Sequence, residues 1–336
     1  MIVGLLVLLL AGILQGIFVL PLAFTRHWKW EHSWFMFSFW GMIFLNWLLG
    51  FYLFPHALSL YSRVPLQEVC LLSAFGLCWG IGAILFGLGM DKLGMSVGYP
   101  VIMGLIAAAG TLLPLLLHTP ESIFTIRGIG IALGCGLVIL AIVLCSRAAT
   151  ARGRPLLNSE RNPDFGLGML IAISAGLLSA LPNIGITFAD KTIHQAVLSG
   201  IPPEMAGNLV WLLFFTIGFI ANATYTIYEM LRHHSVSEFS RSITPRNMLL
   251  TFLAAACWIG SFYLYGYAAN RLGRFGAISA WPIFIAIAIV SGNLAGLWKG
   301  EWRNATPFSM RLLRAGIGVL LLAVCLIILS NYLSYG

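Results

Sequence analysis

The amino-acid sequence predicts an all-α membrane protein of ten transmembrane helices, arranged as two inverted five-helix repeats. Three observations predict it. The 336 residues are 60% hydrophobic and only 9% charged, where an ordinary soluble domain carries about 25% charged residues. So little charge cannot cover a surface in water, which makes the bilayer the solvent. Ten apolar runs are each long enough to cross it, a crossing that takes about 20 residues of helix. Finally, Cys78-Trp79 to Leu93-Gly94 reappears without a gap as Cys257-Trp258 to Leu272-Gly273. Within that segment Leu85 matches Leu264, Gly87 matches Gly266, and Asp91-Lys92 becomes Asn270-Arg271.

The first expected span, 2–24, follows no basic stretch, because the first 25 residues hold no charged side chain. A cleavable signal peptide begins with positive charge, so this segment is expected to stay as a helix. The second span is 35–54. The third and fourth, 68–90 and 95–117, are joined only by Asp91-Lys92-Leu93-Gly94 and must form an antiparallel hairpin. The fifth is 127–146, and a polar stretch then divides the chain. The sixth to eighth spans are 166–189, 206–229 and 247–269. A second hairpin through Asn270-Arg271-Leu272-Gly273 leads to the ninth, 275–297, and the tenth is 312–332.

The repeat extends beyond the hairpin. Ala11-Gly12-x-Leu14 matches Ala175-Gly176-x-Leu178, and Gly128-Ile129-Gly130 matches Gly316-Ile317-Gly318. The offset grows from 164 to 179 to 188 residues, as loop insertions in the second half would cause. The expected units are a first repeat, 1–150, a cytoplasmic linker, 151–165, and a second repeat, 166–336. Five spans per half is an odd number, so the halves must be inverted, a geometry common in secondary transporters.

Lys and Arg set the orientation. Fourteen of the 19 lie in or beside the odd-numbered loops, among them Arg26, Lys92, Arg147, Arg232 and Arg314. The other five are Arg63, Arg127, Lys191, Arg271 and Arg274. The odd loops are therefore expected in the cytoplasm and both termini outside it.

Several classes are disfavoured. The net charge of +8 comes from loop bases, which fits membrane topology and not nucleic-acid binding. The six cysteines lie in apolar runs with no CxxC pair, so they are expected as small buried hydrophobes. HExxH, a P-loop and paired intramembrane carboxylates are absent, which gives an enzyme no catalytic residue, metal or cofactor to work with. No loop exceeds about twenty residues, well short of a docking domain.

The order and spacing of further residues resemble a known family. They are Trp28-Lys29-Trp30-Glu31 with Trp34, then Trp79-Gly80-Ile81-Gly82, Gly87, Leu93-Gly94-Met95-Ser96, Gly98 and Gly110-Thr111-Leu112. Later come Lys191, His194, Glu301-Trp302 and Asn304-Ala305. Over nearly its whole length the chain resembles the L-rhamnose–proton symporters of the drug/metabolite transporter superfamily. The resemblance implies import of a six-carbon deoxysugar with a proton across the bacterial inner membrane.

A sugar site needs aromatic faces for the ring and fixed amides or hydroxyls for its hydroxyl groups. Gln15, Asn46, Asn183, Asn222 and Asn293 are polar groups inside spans, where they are costly unless they face the bundle interior. Trp79, Tyr99, Trp258, Tyr263, Tyr265 and Trp281 supply rings. Trp79 and Trp258 are repeat partners, so a cavity on the pseudo-twofold axis would be approached by both. Trp28, Trp30, Trp34 and Trp298 are expected as interfacial anchors. For ion coupling, Asp190, Lys191 and His194 cluster at the end of the sixth span, with Glu31 and Asp91 as alternatives. No histidine and no central carboxylate falls in an expected span. That leaves sodium in place of a proton open, and an exporter or facilitator of another small polar metabolite in place of an importer.

Overall fold

A computed structural model describes the chain except residues 94, 119, 152–162, 241–242, 301, 304 and 334–336. Gly94, Glu301, Asn304 and most of the expected linker lie outside the described residues. Among the described residues, nine helices are long and apolar enough to cross a membrane. A tenth, Met95–His118, has similar length. The chain is an all-helical integral membrane protein with multiple spans. Helices are the expected solution, because hydrocarbon offers backbone N–H and C=O groups no partner and the helix pairs them internally.

Span 1 comprises Ile2–Ile17 and, after a break at Phe18, Val19–Leu22. Gly4, Leu8, Ala11, Gly12, Gln15 and Gly16 form its buried stripe, while Leu5, Leu6, Leu9 and Leu10 point outward. The glycines set the approach: a Cβ on Gly12 would lie 2.5 Å from Ile287 Cβ, and one on Gly16 2.5 Å from the Ala288 carbonyl. Small residues at a helix contact let backbones come this close.

Span 2, Trp30–Leu53, starts five residues earlier than expected. It opens as an α-helix, winds as a π-helix over Phe39–Leu45, and closes as an α-helix. Glu31 and His32 fall within its first turn, so the expectation of no histidine in a span is corrected. The turn tolerates them because both find polar partners in residue 235, far along the chain.

Span 3, Leu66–Leu93, and span 4, Met95–His118, form the first hairpin. Span 5 is Ile126–Thr150. Span 6 differs from the expected continuous helix: Pro163–Leu178 stops at a turn over Ser179 and Ala180, and Leu181–Ile186 resumes with Pro182 near its start. Proline has no N–H for an interior turn but suits the first turn of a new helix. A surface helix, Asp190–Leu198, follows. Span 7 is Leu209–Arg232, span 8 Thr244–Arg271, span 9 Arg274–Trp298 and span 10 Pro307–Leu333. The turn between spans 8 and 9 needs Gly273, whose φ is +58°.

Residues before the linker and residues after it do not form separate bundles. Span 1 packs against spans 8 and 9, and span 6 against spans 3 and 4. Span 7 packs against spans 2 and 3, and span 5 against span 10. The cysteine expectation is corrected in part. Cys135 and Cys145 are buried, but Cys70, Cys78 and Cys325 are exposed on the outer surface. An outward thiol costs little where the solvent is lipid.

Candidate functional site

A cavity lies where spans 1, 2, 3, 4, 6, 8 and 9 meet. Its walls are largely aromatic: Trp34, Phe37, Trp79, Phe86, Trp258, Phe262, Trp281 and Phe284. Gln15 and Ser179 bring the polar groups. Gln15 Oε1 accepts the Ser261 hydroxyl at 2.6 Å. Its carboxamide nitrogen makes no hydrogen bond to another described residue. The ring planes of Trp79 and Trp258 are nearly parallel, at 16°, with centroids 5.8 Å apart. Their indole N–H groups have no protein partner among the described residues, so both are available to a ligand.

Pairs related by the sequence repeat recur in this lining. Gln15 and Ser179 stand 164 positions apart, the offset that matches Gly12 with Gly176. Trp79 and Trp258, Ala83 and Phe262, and Ile106 and Ile285 each stand 179 apart, the offset of the hairpins. Four pairs at the offsets of the sequence matches thus face one space.

Of the expected substrate residues, Gln15, Trp79, Trp258 and Trp281 meet at the cavity. Six of the other seven are placed around it as ties between helices. Asn222 accepts the Trp34 indole N–H at 2.9 Å and donates to the Gly80 and Gly218 carbonyls, both at 3.0 Å. Asn46 donates to the Trp211 carbonyl at 3.3 Å and accepts the Tyr263 hydroxyl at 2.9 Å. Asn183 donates to the Gly110 carbonyl at 2.7 Å and accepts the Tyr265 hydroxyl at 3.3 Å. Tyr99 donates to the backbone carbonyl of Gln15 at 2.7 Å, fixing span 1 beside its one polar side chain. Asn293 donates only along its own helix, to the Ile289 carbonyl at 2.9 Å.

Of the lining residues that carry a side-chain N–H or O–H, two are not among the substrate residues expected from the sequence. Ser179 is one; applying the 164-residue offset to Gln15 would have found it. Trp34 is the other. It was expected as an interfacial anchor, but it is buried and lines the cavity, held there by Asn222. Trp28 is buried too, packed edge-on against Phe239 at 5.1 Å, while Trp298 is exposed.

Polar contacts tie residues on either side of the linker together at both ends of the bundle. At one end, Glu68 of span 3 caps the surface helix Asp190–Leu198. Its carboxylate accepts the Thr192 N–H at 2.8 Å, the Thr192 hydroxyl at 2.6 Å and the Lys191 N–H at 3.3 Å. A helix N-terminus attracts such an anion through its free N–H groups and dipole. Asp190, Lys191 and His194 are exposed on this helix, away from the cavity lining. Arg271 and Glu204 pair nearby at 3.4 Å.

At the other end, span 7 closes with His234 in the left-handed region, φ 50°, and the Ser235 N–H returns to the Met230 carbonyl at 2.9 Å. This helix-ending turn presents Ser235 to the start of span 2. Its hydroxyl donates to Glu31 at 3.3 Å, and its carbonyl bonds His32 Nε2 at 2.8 Å. His233 Nδ1 lies 3.5 Å from the Glu31 carboxylate. Asn247 of span 8 bonds the backbone N–H and carbonyl of Arg26 at 3.2 and 2.8 Å.

Comparison with known proteins matches the family described as L-rhamnose-proton symport protein over residues 1–332. Relatives named L-rhamnose-proton symporter from Salmonella gallinarum, Salmonella paratyphi B and Salmonella newport are each 26% identical over 324 residues. The similarity covers 91% of this chain and 91% of each relative.

Proposed function

The chain belongs to the L-rhamnose–proton symport family, a family of transporters and not of enzymes, and on that premise we propose that it imports a six-carbon deoxysugar together with a proton. L-rhamnose is the first candidate, and the bacterial inner membrane the expected location. The observation that carries the proposal is the central cavity, lined by repeat-related pairs from both halves of the chain. Such pairing supports two inverted halves that rock about one central site.

The chemistry of the lining suits this substrate class. L-rhamnose carries a methyl group where most hexoses carry a hydroxymethyl, so part of its surface is apolar. Trp79, Trp258 and Trp281 offer faces for that surface. The Gln15 amide, the Ser179 hydroxyl and the two free indole N–H groups are the hydrogen-bonding partners for its hydroxyls. Asn46, Asn183, Asn222, Tyr99 and Tyr263 are assigned a supporting role, holding the lining helices in place. Asp190, Lys191 and His194 are assigned to the outer face, where a proton or competing ion would enter. That face is outer by the Lys and Arg distribution, which also puts both termini outside.

The deciding experiment is uptake of labelled L-rhamnose into proteoliposomes with and without an imposed proton gradient. Accumulation above equilibrium that collapses with the gradient is the expected result. Equilibration alone, or dependence on sodium, would replace the proton-coupled mechanism. Failure of folded protein to take up L-rhamnose would move the search to other small polar metabolites.

A further inference from the structure

The buried carboxylate of Glu31 does not line the substrate cavity, and ionisable groups surround it. Its side chain is 7% exposed, in the first turn of span 2. An ionisable group buried at the edge of a membrane bundle is costly and usually functional. The titratable and charged groups around it come from four places. His32 adjoins it on its own helix, fully buried. Span 7 contributes Tyr225, Glu229 and Arg232, with Arg232 paired to Glu229 at 3.5 Å. His233, which follows span 7, lies 3.5 Å from Glu31 and 3.6 Å from Glu229. The next segment, Val236–Ser240, carries Glu238 and packs Phe239 on His32 with centroids 5.0 Å apart.

Two features suit proton exchange. His233 is 42% exposed, so it joins the buried carboxylate to water. His32 bonds a carbonyl through Nε2, which makes that nitrogen the donor, and its buried Nδ1 has no hydrogen-bond partner among the described residues. The cluster also lies on a direct line to the cavity. Glu31 is one turn from Trp34, which lines the cavity and bonds Asn222. Trp30 stacks on Trp34 at 5.6 Å and meets Tyr225 edge-on at 6.1 Å, so spans 2 and 7 touch along the whole distance.

We propose that Glu31 binds and releases the coupling proton, with His233 as its path to water on the cytoplasmic side. As a carboxylate, Glu31 accepts the Ser235 hydroxyl beside His233, which keeps the start of span 2 docked on the segment after span 7. Taking a proton removes that charge and loosens the dock. Loss of the proton to water through the imidazole of His233 restores it. This rests on the proton-coupled function proposed above, so the test includes a measurement that needs no sugar.

The experiment pairs infrared difference spectra of the purified protein with proteoliposome transport, for the wild type, Glu31→Gln and His233→Gln. The spectra compare about pH 3 with about pH 8, a range that brackets the reference values of carboxylates and histidines. A protonated-carboxyl band in the wild type that is missing from Glu31→Gln, and shifted in its titration by His233→Gln, is expected. In transport, Glu31→Gln should lower gradient-driven accumulation by about tenfold or more, within the usual range of coupling between sites, while sugar exchange at equal pH persists. A band that survives in Glu31→Gln, or undiminished accumulation by that variant, overturns the proposal. If Glu31→Gln does not fold, the half-exposed His233→Gln decides, and an unshifted band overturns it. If the wild type carries no L-rhamnose, the spectra still judge the proton site, and only the substrate proposal fails.

Discussion

At the scale of single residues, Gln15, Asn46, Asn183 and Asn222 each face the cavity or tie two helices, whereas Asn293 bonds only its own helix. Gln15 does both: Oε1 takes the Ser261 hydroxyl, and the amide nitrogen is left for a ligand. Replacing Gln15 by Leu keeps much of its bulk and removes both functions. The expected result is an increase in the KM for uptake of about 5- to 150-fold, corresponding to about 1–3 kcal/mol for an unmet hydrogen bond. Asn222→Ala should act differently, lowering thermal stability in detergent through spans 2, 3 and 7. An unchanged KM for Gln15→Leu would remove Gln15 from the substrate site. Gln15 was legible because it is the one strongly polar residue in an apolar run. Ser179 was not, because serine in an apolar helix is common and silent. The roles of Asn46 and Asn222 were equally hidden, since their partners are backbone carbonyls more than 140 residues away.

At the scale of elements, hydrophobic length alone located the spans, since each needs about 20 apolar residues. Their ends and breaks depend on contacts that length does not encode. The Trp28–Glu31 stretch looks like a loop because it carries charge, yet the helix begins at Trp30, since Glu31 and His32 find Ser235 across the bundle. Span 6 breaks beside the cavity at Ser179, and span 2 winds as a π-helix where Gly41 meets Trp258. Irregular turns of this kind occur where a helix lines a functional site. Close contacts between regular helices, in turn, depend on glycine. Gly12→Val would drive a branched side chain into Ile287 on span 9, at a cost of about 1–3 kcal/mol for overpacking. Its melting temperature in detergent should fall and uptake should drop with it. A variant as stable as the wild type would show that spans 1 and 9 separate more easily than this packing implies.

At the scale of the whole molecule, the cavity sits between two sets of polar contacts at opposite ends. Glu68 with the Asp190–Leu198 helix, and Glu204 with Arg271, close one end. Glu31 with Ser235, and Asn247 with Arg26, close the other. Transport by alternating exposure requires each set to open in turn while the other holds, because opening both would leak the gradient. The Glu68–Thr192 contact, 2.6 Å between side-chain oxygens, gives a direct test. Cys70, Cys78 and Cys325 are exposed and would confuse the chemistry, so all six native cysteines are first replaced by serine or alanine. In that background, Glu68→Cys with Thr192→Cys should cross-link under mild oxidation. Uptake should fall by about tenfold or more, since a covalent bond holds this end shut against a coupling of a few kcal/mol. A reductant should restore it, and either single variant should be unaffected by oxidation. Full uptake by the cross-linked protein would mean that this end need not part at Glu68 and Thr192 for sugar to pass.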